Sequence, residues 1–418
     1  MFIEKLYKIY KNNPIICTDT RKVTKGSIFF SLKGDNFNGN EFSSIALSKG
    51  CSYAIVDQKK YVKNDKTIYV EDVLQTLQNL AKYHRKKLTI PIIGITGTNG
   101  KTTSKELVRI VLNSEKKCYA TIGNLNNHIG VPLSILEIDS SYEIAIIEMG
   151  ANHQGEINFL CDICQPTYGV ITNIGSAHLE GFGSKKTIIK TKNELYKYIQ
   201  KSQGLVFTNE DDNLLNHLSS NIKKITYGRK GEIYGEILNS ENFLKIKYLS
   251  HNIETNLVGD FQFYNVMLAI CIGSYFKVSI ENIKKSIHNY IPKNNRSQFI
   301  KTKYNELILD AYNANPSSVE AMLISFSKNT SKNKICILGD MLELGVKSYQ
   351  EHKKIIDLCI KLNLTCYFIG KEFNKIKSSA FKSRQKFEEF LKENKITNKT
   401  ILIKGSRGIE LEKITPLL

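Results

Sequence analysis

Apolar and polar positions are patterned in two ways along this chain of 418 residues. The segments EIAIIEMG and YGVITNIG are nearly continuous apolar runs, which is typical of parallel strands buried on both faces. The segments EIYGEIL, NFLKIKYL and NIETNLV follow one another closely and predict an antiparallel meander. Helical patterns separate most of the other strands, so we predict an α/β protein.

Three regions emerge from this pattern, in keeping with about 150 residues per domain. Residues 1–88 carry short strands with glycine-containing turns, residues 89–296 open with a buried strand and alternate strand with helix, and residues 297–418 repeat that alternation. We predict an N-terminal α/β domain, a central phosphate-loop domain with a mostly parallel sheet, and a C-terminal Rossmann-like domain. No G-x-G-x-x-G follows any of these strands, so dinucleotide binding is not supported.

The segment PIIGITGTNGKTTSKELVRIVL runs from a buried strand through a glycine-rich turn into a helix. It matches a shortened phosphate loop, G-x-x-G-K-T, because Ile95 holds the usual first glycine position. Glycines let backbone N–H groups face a polyphosphate, and the helix N-terminus attracts the anion. Lys101 would neutralise the β- and γ-phosphates, and Thr102 would ligate Mg²⁺. A glycine-rich turn without a ligand is the plain alternative. The expected nucleotide contacts are Gly97, Thr98, Asn99, Gly100, Lys101, Thr102 and Thr103.

Two residues that follow neighbouring strands are candidate metal ligands. Glu148 ends the strand in EIAIIEMG, at the edge where open α/β sheets bind ligands. His178 follows the next strand in a glycine-rich loop on the same edge. The alternatives are a charge at a helix N-terminus for Glu148 and an ordinary loop histidine for His178.

Lys192 occupies an unusual position in the predicted helix KKTIIKTKNELYKYIQK. It falls on the apolar stripe formed by Ile188, Leu195 and Ile199. An inward lysine costs free energy unless it is paired or neutralised. Snorkelling of the ammonium group to solvent is one interpretation. The other is a lysine of lowered pKa that takes up CO₂, so that the resulting carbamate ligates a second Mg²⁺.

Composition adds little to this functional picture. The net charge of +19 fits nucleic-acid binding, a lysine-rich surface or anionic ligands, and we favour the last two together. Nine cysteines are scattered along the chain, and Cys161 and Cys164 are predicted to be two buried reduced thiols on a helix rather than a zinc site. Such cysteine usage suits the cytoplasm. The N-terminus lacks a signal-peptide core, and no apolar run approaches the ~20 residues of a membrane span.

The motifs of this chain resemble those of the Mur ligases of peptidoglycan synthesis. The resemblance covers nearly the whole chain and rests on GTNGKTT, GNLNNHIGVPL, EMGANHQGEI, NIGSAHLEGFGS, DAYNANPSS, LGDMLELG and KGSR. GTNGKTT is shared across the family, whereas GNLNNHIGVPL, DAYNANP and LGDMLELG are more specific to the member that uses D-Ala-D-Ala. The resemblance implies ligation of D-Ala-D-Ala to UDP-MurNAc-tripeptide through an acyl phosphate, with ATP and two Mg²⁺, by a cytoplasmic monomer. It leaves open the third residue of the tripeptide and the base for the incoming amine.

The resemblance also implies roles for individual residues. Lys101 and Thr102 would serve the phosphates and the first Mg²⁺, Glu148 would bind metal, and His178 with carbamylated Lys192 would support the second Mg²⁺. Nucleotide contacts from elsewhere in the chain would be Asn265, Arg296 and Asp310. Substrate contacts near the reacting groups and along the cleft would be Asn126, Asn127, Tyr312, Asn313, Asn315, Lys404, Ser406 and Arg407. The nucleotide-sugar end would be held by Asp19, Thr20, Arg21, Lys33, Gly34, Asn38 and Gly39.

Two departures from the family pattern concern ligand contacts. The segment GDFQFYN places Phe261 and Gln262 where the family often has His-Asn, and Gln262 can still offer an amide to adenine. Asn38-Gly39-Asn40 replaces the family's DGH near the uridine site. The rival functions are another ATP-dependent amide ligase, a phosphate-loop switch or nucleic-acid ATPase, and a non-catalytic nucleotide-binding scaffold. The segments NLNN and YNANP argue against another amide ligase. The absence of a nucleic-acid module argues against the nucleic-acid ATPase. The presence of Lys101, Thr102 and Glu148 argues against a non-catalytic scaffold.

Overall fold

The structure is a computed structural model that describes residues 2–175 and 179–418. It contains two compact units of chain. The first unit comprises Met1–Ile95, Lys116–Ala151 and Gly155–Gly169, and the second comprises Thr96–Glu115, Asn152–Gln154 and Val170–Leu418. Within the described residues, no helix combines the length and the apolar character needed to cross a lipid bilayer. The domain limits at residues 88 and 296 stay predictions.

Helices and strands alternate along most of the described chain. The α-helices are α1 Phe2–Asn12, α2 Ser43–Ser48, α3 Val73–Arg85, α4 Lys101–Leu112, α5 Gly130–Leu136, α6 Glu156–Cys164, α7 Leu179–Phe182, α8 Lys185–Lys201, α9 Asn213–Leu218, α10 Phe263–Tyr275, α11 Ile280–Asn289, α12 Pro316–Ser327, α13 Ser348–Lys361, α14 Lys371–Ile376 and α15 Arg384–Glu393. The strands are β1 Ile16–Cys17, β2 Ile28–Phe30, β3 Lys33–Gly34, β4 Phe37–Asn38, β5 Tyr53–Val56, β6 Thr67–Tyr69, β7 Ile92–Thr96, β8 Cys118–Ala120, β9 Ile144–Glu148, β10 Tyr168–Ile171, β11 Leu205–Asn209, β12 Lys223–Gly228, β13 Ile233–Asn239, β14 Lys245–Tyr248, β15 His251–Glu254, β16 Gln298–Lys301, β17 Glu306–Asp310, β18 Lys334–Gly339, β19 Thr365–Ile369 and β20 Thr400–Lys404.

The first unit contains a four-stranded parallel sheet near its N-terminus. The strand order is β1-β2-β5-β6, and all three pairs are parallel. Strand β2 is buried throughout because its Ile-Phe-Phe sequence packs on both faces. Strands β3 and β4 form a separate antiparallel hairpin. The hairpin and the loop after β1 carry residues that the sequence predicts at the nucleotide-sugar end.

The first unit also contains β8, β9 and most of β7, the strand that precedes the phosphate loop. Strand β9 pairs in parallel with both β7 and β8. Helices α3, α5 and α6 pack against one another beside these strands. The predicted helix through Cys161 and Cys164 is confirmed as α6, and both thiols are free and buried. Each of these two sulfurs lies 3.9 Å from the sulfur of Met149, so the pair belongs to the apolar core.

The second unit contains the predicted meander. Its strands follow the order β15-β14-β13-β12-β11. Strands β11, β12 and β13 pair in parallel, and strands β13, β14 and β15 pair antiparallel. The antiparallel meander is therefore confirmed. Helix α10, whose residues from Val266 to Gly273 are all buried, packs against α4. Since α4 begins at the phosphate loop, α10 gives that loop a rigid base.

Residues 298–404 of the second unit build a five-stranded sheet of order β16-β17-β20-β18-β19. Strands β17, β20, β18 and β19 are parallel, and β16 adds an antiparallel edge. The core between this sheet and its helices includes Leu307, Ile337, Phe387 and Ile403. The predicted α/β class with mostly parallel sheets is confirmed.

Residues 290–297, between α11 and β16, form a linker with unusual backbone conformations. Asn294, Asn295 and Ser297 all have positive φ, at 59°, 58° and 47°. Asparagine tolerates this left-handed region, but for serine it is uncommon and costs free energy. Hydrogen bonds to Gln262, Asp310 and Tyr312 hold the linker in this conformation.

Candidate active site

Two glycines of the phosphate loop have no room for a side chain. A Cβ at Gly97 would lie 2.0 Å from Thr172 Oγ1, and a Cβ at Gly100 would lie 2.6 Å from Asn265 Oδ1. Both glycines also have positive φ, at 146° and 79°. The tight turn that the sequence predicts therefore depends on glycine at both positions, for steric and for conformational reasons.

Lys101 folds back onto the loop that precedes it. Its Nζ donates to the carbonyl oxygens of Gly97 at 2.8 Å and Thr98 at 3.1 Å. Lys101 is also the first residue of α4, whose N-cap is Gly100. The ammonium group and the positive helix end thus lie together, as the binding of a phosphate anion requires.

The backbone of the loop is fixed by the residues that follow β10. Thr172 Oγ1 donates to the carbonyl oxygen of Asn99 at 2.6 Å. Asn173 accepts from the N–H of Asn99 at 3.0 Å and donates to its carbonyl oxygen at 2.9 Å. Sequence reasoning did not select Thr172 or Asn173. Their position directly after a buried strand, as for Glu148, could have pointed to them.

The side chain of Asn99 joins the loop to the start of α12. Asn99 Nδ2 donates to Ser317 Oγ at 2.9 Å, and Asn315 Nδ2 donates to Asn99 Oδ1 at 2.8 Å. Ser317 Oγ in turn donates to Asn315 Oδ1 at 2.9 Å, which closes a ring of three side chains. Asn315 is also the N-cap of α12, where it accepts from the N–H of Ser318. The YNANP motif is therefore placed at the phosphate loop.

Asp310 and Lys404 form a largely buried ion pair at the ends of β17 and β20. Lys404 Nζ lies 2.6 Å from Asp310 Oδ2, and the lysine side chain is 2% exposed. Lys404 also donates to the carbonyl oxygen of Asn313 at 3.2 Å. Nearby, Ser406 Oγ donates to the carbonyl oxygen of Ala314 and accepts from the N–H of Leu342. These side chains are held by partners within the protein and shape the edge of the sheet.

Two arginine side chains lie close to the ring of Tyr312 at this edge. The guanidinium carbon of Arg296 lies 3.8 Å from the centre of the Tyr312 ring, and that of Arg407 lies 5.5 Å from it. Arg407 and Asn313 are exposed, and Tyr312 is partly exposed. Two cations gathered on one aromatic ring form a surface suited to an anionic ligand.

Glu148 is buried at the end of β9 in the first unit and is 1% exposed. Its Oε1 accepts from Asn126 Nδ2 at 2.9 Å, and its N–H donates to Thr121 Oγ1 at 3.0 Å. Asn126, expected near the reacting groups, and Glu148, expected at the metal, are thus in direct contact. Asn127 instead accepts from the N–H groups of Ile129 and Gly130 and so begins α5.

Lys192 is buried in the second unit. It is 3% exposed on the face of α8 that also buries Ile188 and Leu195, as the apolar stripe predicts. Its Nζ lies 5.8 Å from the centre of the Phe182 ring. His178 lies outside the described residues. Across residues 2–175 and 179–418, no three or more His, Cys, Asp or Glu side chains are grouped so as to hold a metal. The Mg²⁺ ligands therefore stay predictions.

The residues expected at the nucleotide-sugar end surround the hairpin and the loop after β1. Asp19 accepts three hydrogen bonds from the Arg21 side chain, which is 86% exposed, and this pairing lowers the pKa of Asp19 to about 2. Thr20 follows Asp19 in the same turn. Lys33 forms an ion pair with Asp57 at 3.0 Å. Its neighbour Gly34 is exposed in β3.

Asn38 and Gly39 are the remaining residues expected at the nucleotide-sugar end. Asn38 Oδ1 accepts from Asn40 Nδ2 at 2.9 Å, and Asn40 Nδ2 also donates to Asp57 Oδ1 at 2.8 Å. A Cβ at Gly39 would lie 2.3 Å from the carbonyl oxygen of Leu32. Asp57 was missed by sequence reasoning because its contact with Asn40 spans 17 positions of the sequence. Asn40 and Asp57 join Lys33 and Asn38 into one polar cluster.

Comparison with known proteins decides the family. The Mur ligase middle domain matches residues 95–273, and the Mur ligase glutamate ligase domain matches residues 295–407. The UDP-N-acetylmuramoyl-tripeptide–D-alanyl-D-alanine ligase of Bacillus subtilis is 33% identical, over 96% of this chain and 92% of that protein. The chain belongs to the Mur ligase family. The resemblance stated from the motifs is therefore confirmed.

Two solved Mur ligase structures share the fold of this Mur ligase. MurF from Acinetobacter baumannii has a TM-score of 0.86 at 28% identity, covering 99% of this chain and 97% of that chain. MurF from Thermotoga maritima, in complex with ADP, has a TM-score of 0.85 at 25% identity, covering 97% of each chain. The three-domain architecture expected for this Mur ligase is consistent with both.

Proposed function

We propose that this Mur ligase joins D-alanyl-D-alanine to UDP-N-acetylmuramoyl-tripeptide, with conversion of ATP to ADP and phosphate. The observation that carries the proposal is the ring formed by Asn99, Asn315 and Ser317, which ties the phosphate loop to the YNANP motif. The identity with the B. subtilis enzyme along 96% of the chain supports the choice of substrates. A nucleic-acid ATPase has no comparable support.

ATP fits the loop on steric and electrostatic grounds. The surroundings of Gly97 and Gly100 exclude side chains, so the backbone can approach a polyphosphate closely. Lys101 would exchange the carbonyl oxygens of Gly97 and Thr98 for phosphate oxygens, and the N-terminus of α4 would stabilise the same charge. Remaining nucleotide contacts would come from Arg296 and Asp310, with Asn265 behind the loop.

In the proposed reaction, a carboxylate oxygen of the tripeptide attacks the γ-phosphorus and ADP leaves. The amine of D-alanyl-D-alanine then attacks the carbonyl carbon of the acyl phosphate. The C–O bond to phosphate breaks as the amide forms, and the amine loses a proton. Water must be excluded because it would hydrolyse the acyl phosphate. Arg407 and Tyr312 would hold the anionic end of a substrate near this chemistry, next to Arg296 at the nucleotide.

Magnesium is part of the proposal, with Thr102, Glu148, His178 and carbamylated Lys192 as its expected ligands. The oxygen donors of this set suit Mg²⁺, and the burial of Lys192 is in keeping with a side chain that acts as an inward-facing ligand. When bound, two Mg²⁺ would offset repulsion between the γ-phosphate and the substrate carboxylate. Replacement of Lys192 by alanine should abolish ligation, and a short carboxylic acid in the buffer should restore part of it. Full activity of the alanine variant would contradict the carbamate.

The remaining parts of the proposal are a cytoplasmic location and a monomeric state. Nine free cysteines suit a reducing compartment such as the cytoplasm. Size-exclusion chromatography with light scattering tests the second point against the monomer mass of 47.5 kDa.

Phosphate release from ATP tests the function directly. The assay contains purified protein and Mg²⁺, with UDP-MurNAc-tripeptide and D-alanyl-D-alanine supplied together and each omitted in turn. We expect release only when both are present, with a pentapeptide product identified by mass. Release that ignores both substrates but rises with DNA or RNA would replace the ligase by a nucleic-acid ATPase. Tripeptides with diaminopimelate or lysine in the third position would settle the stem preference.

A further inference from the structure

Both ends of the Gln262 side-chain amide are already engaged within the protein. Gln262 ends the short 3₁₀ turn before α10 and is 3% exposed. Its Oε1 accepts from Asn265 Nδ2 at 2.7 Å, and its Nε2 donates to Ser297 Oγ at 3.4 Å. The amide of Gln262 is therefore held between two partners within the protein. An adenine contact through this amide stays a prediction.

One end of this contact reaches the phosphate loop. Asn265 Oδ1 accepts from Ser104 Oγ at 2.9 Å, and the same oxygen lies where a Cβ at Gly100 would clash. The hydroxyl of Ser104 thus directs the oxygen of the Asn265 amide toward α4. Its NH₂ group is directed toward Gln262. The orientation of the amide behind the loop therefore depends on both neighbours.

The other end reaches the linker. Ser297, at φ 47°, donates its backbone N–H to Asp310 Oδ1 at 3.0 Å. The linker is fastened further to the C-terminal sheet, because Tyr312 N–H donates to the carbonyl oxygen of Asn295 and Arg296 stacks on the Tyr312 ring. Residues 294–297 are thus held by hydrogen bonds and packing to the part of the chain that carries Asp310 and Tyr312. Gln262 approaches them from the helix that packs on α4.

We propose that Gln262 is a positioning residue that couples the phosphate loop to the linker through Asn265 and Ser297. The expected effect on kcat rests on the proposed ligase function, whereas the expected effect on hydrogen exchange does not. Side-chain hydrogen bonds run from Ser104 through Asn265 and Gln262 to Ser297, and the backbone N–H of Ser297 continues the series to Asp310. Nucleotide at the loop would thereby fix the linker conformation that holds the C-terminal strands in place for amide formation. Gln262 acts through these neighbours and touches no reacting atom.

Hydrogen exchange of the ligand-free protein tests the coupling without any assumption about activity. Gln262→Met removes both hydrogen bonds at nearly constant volume, and Ser297→Ala removes only the linker end. We expect amide exchange in residues 290–297 to rise about fivefold in each variant, which corresponds to one hydrogen bond of about 1 kcal/mol. The matched control, Gln200→Met on the exposed end of α8, should leave linker exchange unchanged. Unchanged linker exchange in the first two variants would overturn the proposal.

Steady-state kinetics separates positioning from base recognition. We expect both variants to lower kcat for ligation about five- to tenfold, with the Kd for ATP and the preference for ATP over GTP unchanged. The double variant should be no worse than either single one, because both changes break the same connection. Gln262→Glu keeps an acceptor for Asn265 and for the Ser297 hydroxyl and should restore part of kcat. Loss of ATP preference with kcat intact would assign Gln262 to adenine and refute the coupling. A protein without ligase activity would still give a decisive exchange result.

Discussion

The amide of Asn315 donates a hydrogen bond to Asn99 Oδ1 at 2.8 Å, so the residue that caps α12 also holds the phosphate loop. The two residues are 216 positions apart in sequence. A single side chain therefore serves helix formation and nucleotide geometry together. The two roles use different atoms, since Oδ1 accepts from Ser318 and Nδ2 donates to Asn99. They can be separated by mutation.

Asn315→Asp and Asn315→Ala should lower activity to the same extent, but they should differ in the free energy of unfolding. Aspartate keeps the acceptor for the helix N-terminus and loses the donor to Asn99, whereas alanine loses both. We expect both variants to lower kcat/KM for ATP about tenfold, and only alanine to lower the free energy of unfolding by about 1 kcal/mol. Urea denaturation and ligase kinetics measure the two effects. Equal destabilisation by both substitutions would argue against the separation.

Gly100→Ala should abolish ATP binding because of a steric clash added to an unfavourable φ. The new methyl group would lie 2.6 Å from Asn265 Oδ1. The control is Gly26→Ala, where φ is +86° but nothing lies within 4 Å of the new Cβ. We expect the control to cost about 1 kcal/mol of stability and to leave the Kd for ATP unchanged. Isothermal titration calorimetry with ATP compares them, and similar Kd values for the two variants would disprove a steric role for Gly100.

Lys404→Met should destabilise the protein by leaving Asp310 without its cation. We expect a loss of about 2 kcal/mol, less than for a fully buried pair because the Asp310 side chain is 17% exposed. The double variant Lys404→Met with Asp310→Asn should recover most of this loss, since no uncompensated charge remains. Chemical denaturation of the three proteins forms the test. A double variant that is less stable than Lys404→Met would show that the pair itself is strongly stabilising.

The stability of the first unit should fall in mild acid because of His84. His84 is 5% exposed, and its Nε2 lies 2.7 Å from the carbonyl oxygen of Ile138, with Tyr7 OH 3.1 Å from Nδ1. Burial lowers the pKa of His84 below its usual 6.5, and the charge of Lys11 adds to this. The unfolded chain therefore binds the proton more readily, and the contribution of His84 to stability is complete above pH 6.5 and lost as the pH falls toward the folded pKa.

Denaturation curves between pH 5 and pH 7.5 measure this dependence. His84→Gln should flatten the slope of unfolding free energy against pH, because glutamine does not titrate in this range. The same substitution at the exposed His217 should leave the slope in place. A slope that persists in His84→Gln would assign the pH dependence to other groups.

The sequence predicted elements whose pattern is local. The buried runs that became β9 and β10 are continuous in the chain, and the phosphate loop is a short motif between a strand and a helix. Lys192 was predicted to lie inside because its position on a helical stripe depends only on residues within seven positions of it. Such inferences need the helical or strand period and no knowledge of distant partners.

The polar connections between distant segments were not predictable in this way. Nothing near Gln262 indicates that Ser297 will face it, and the expectation of an adenine contact followed from the family pattern alone. The contact of Lys404 with Asp310 and that of Arg21 with Asp19 were also not predicted. The ligand contacts expected of these residues stay predictions. Side chains with several possible partners are settled by tertiary packing, which brings together residues far apart in the chain.

The contacts of Lys101 have a consequence for which ligands the loop selects. Its ammonium group donates to two carbonyl oxygens, those of Gly97 and Thr98, so a ligand that takes up these two N–H groups must replace those oxygens. The binding free energy is then a difference between two sets of hydrogen bonds. A neutral ligand offers acceptors of similar strength and gains little from the replacement, whereas charged phosphate oxygens form stronger bonds. The exchange at Lys101 thus favours charged phosphate oxygens over the acceptors of a neutral ligand.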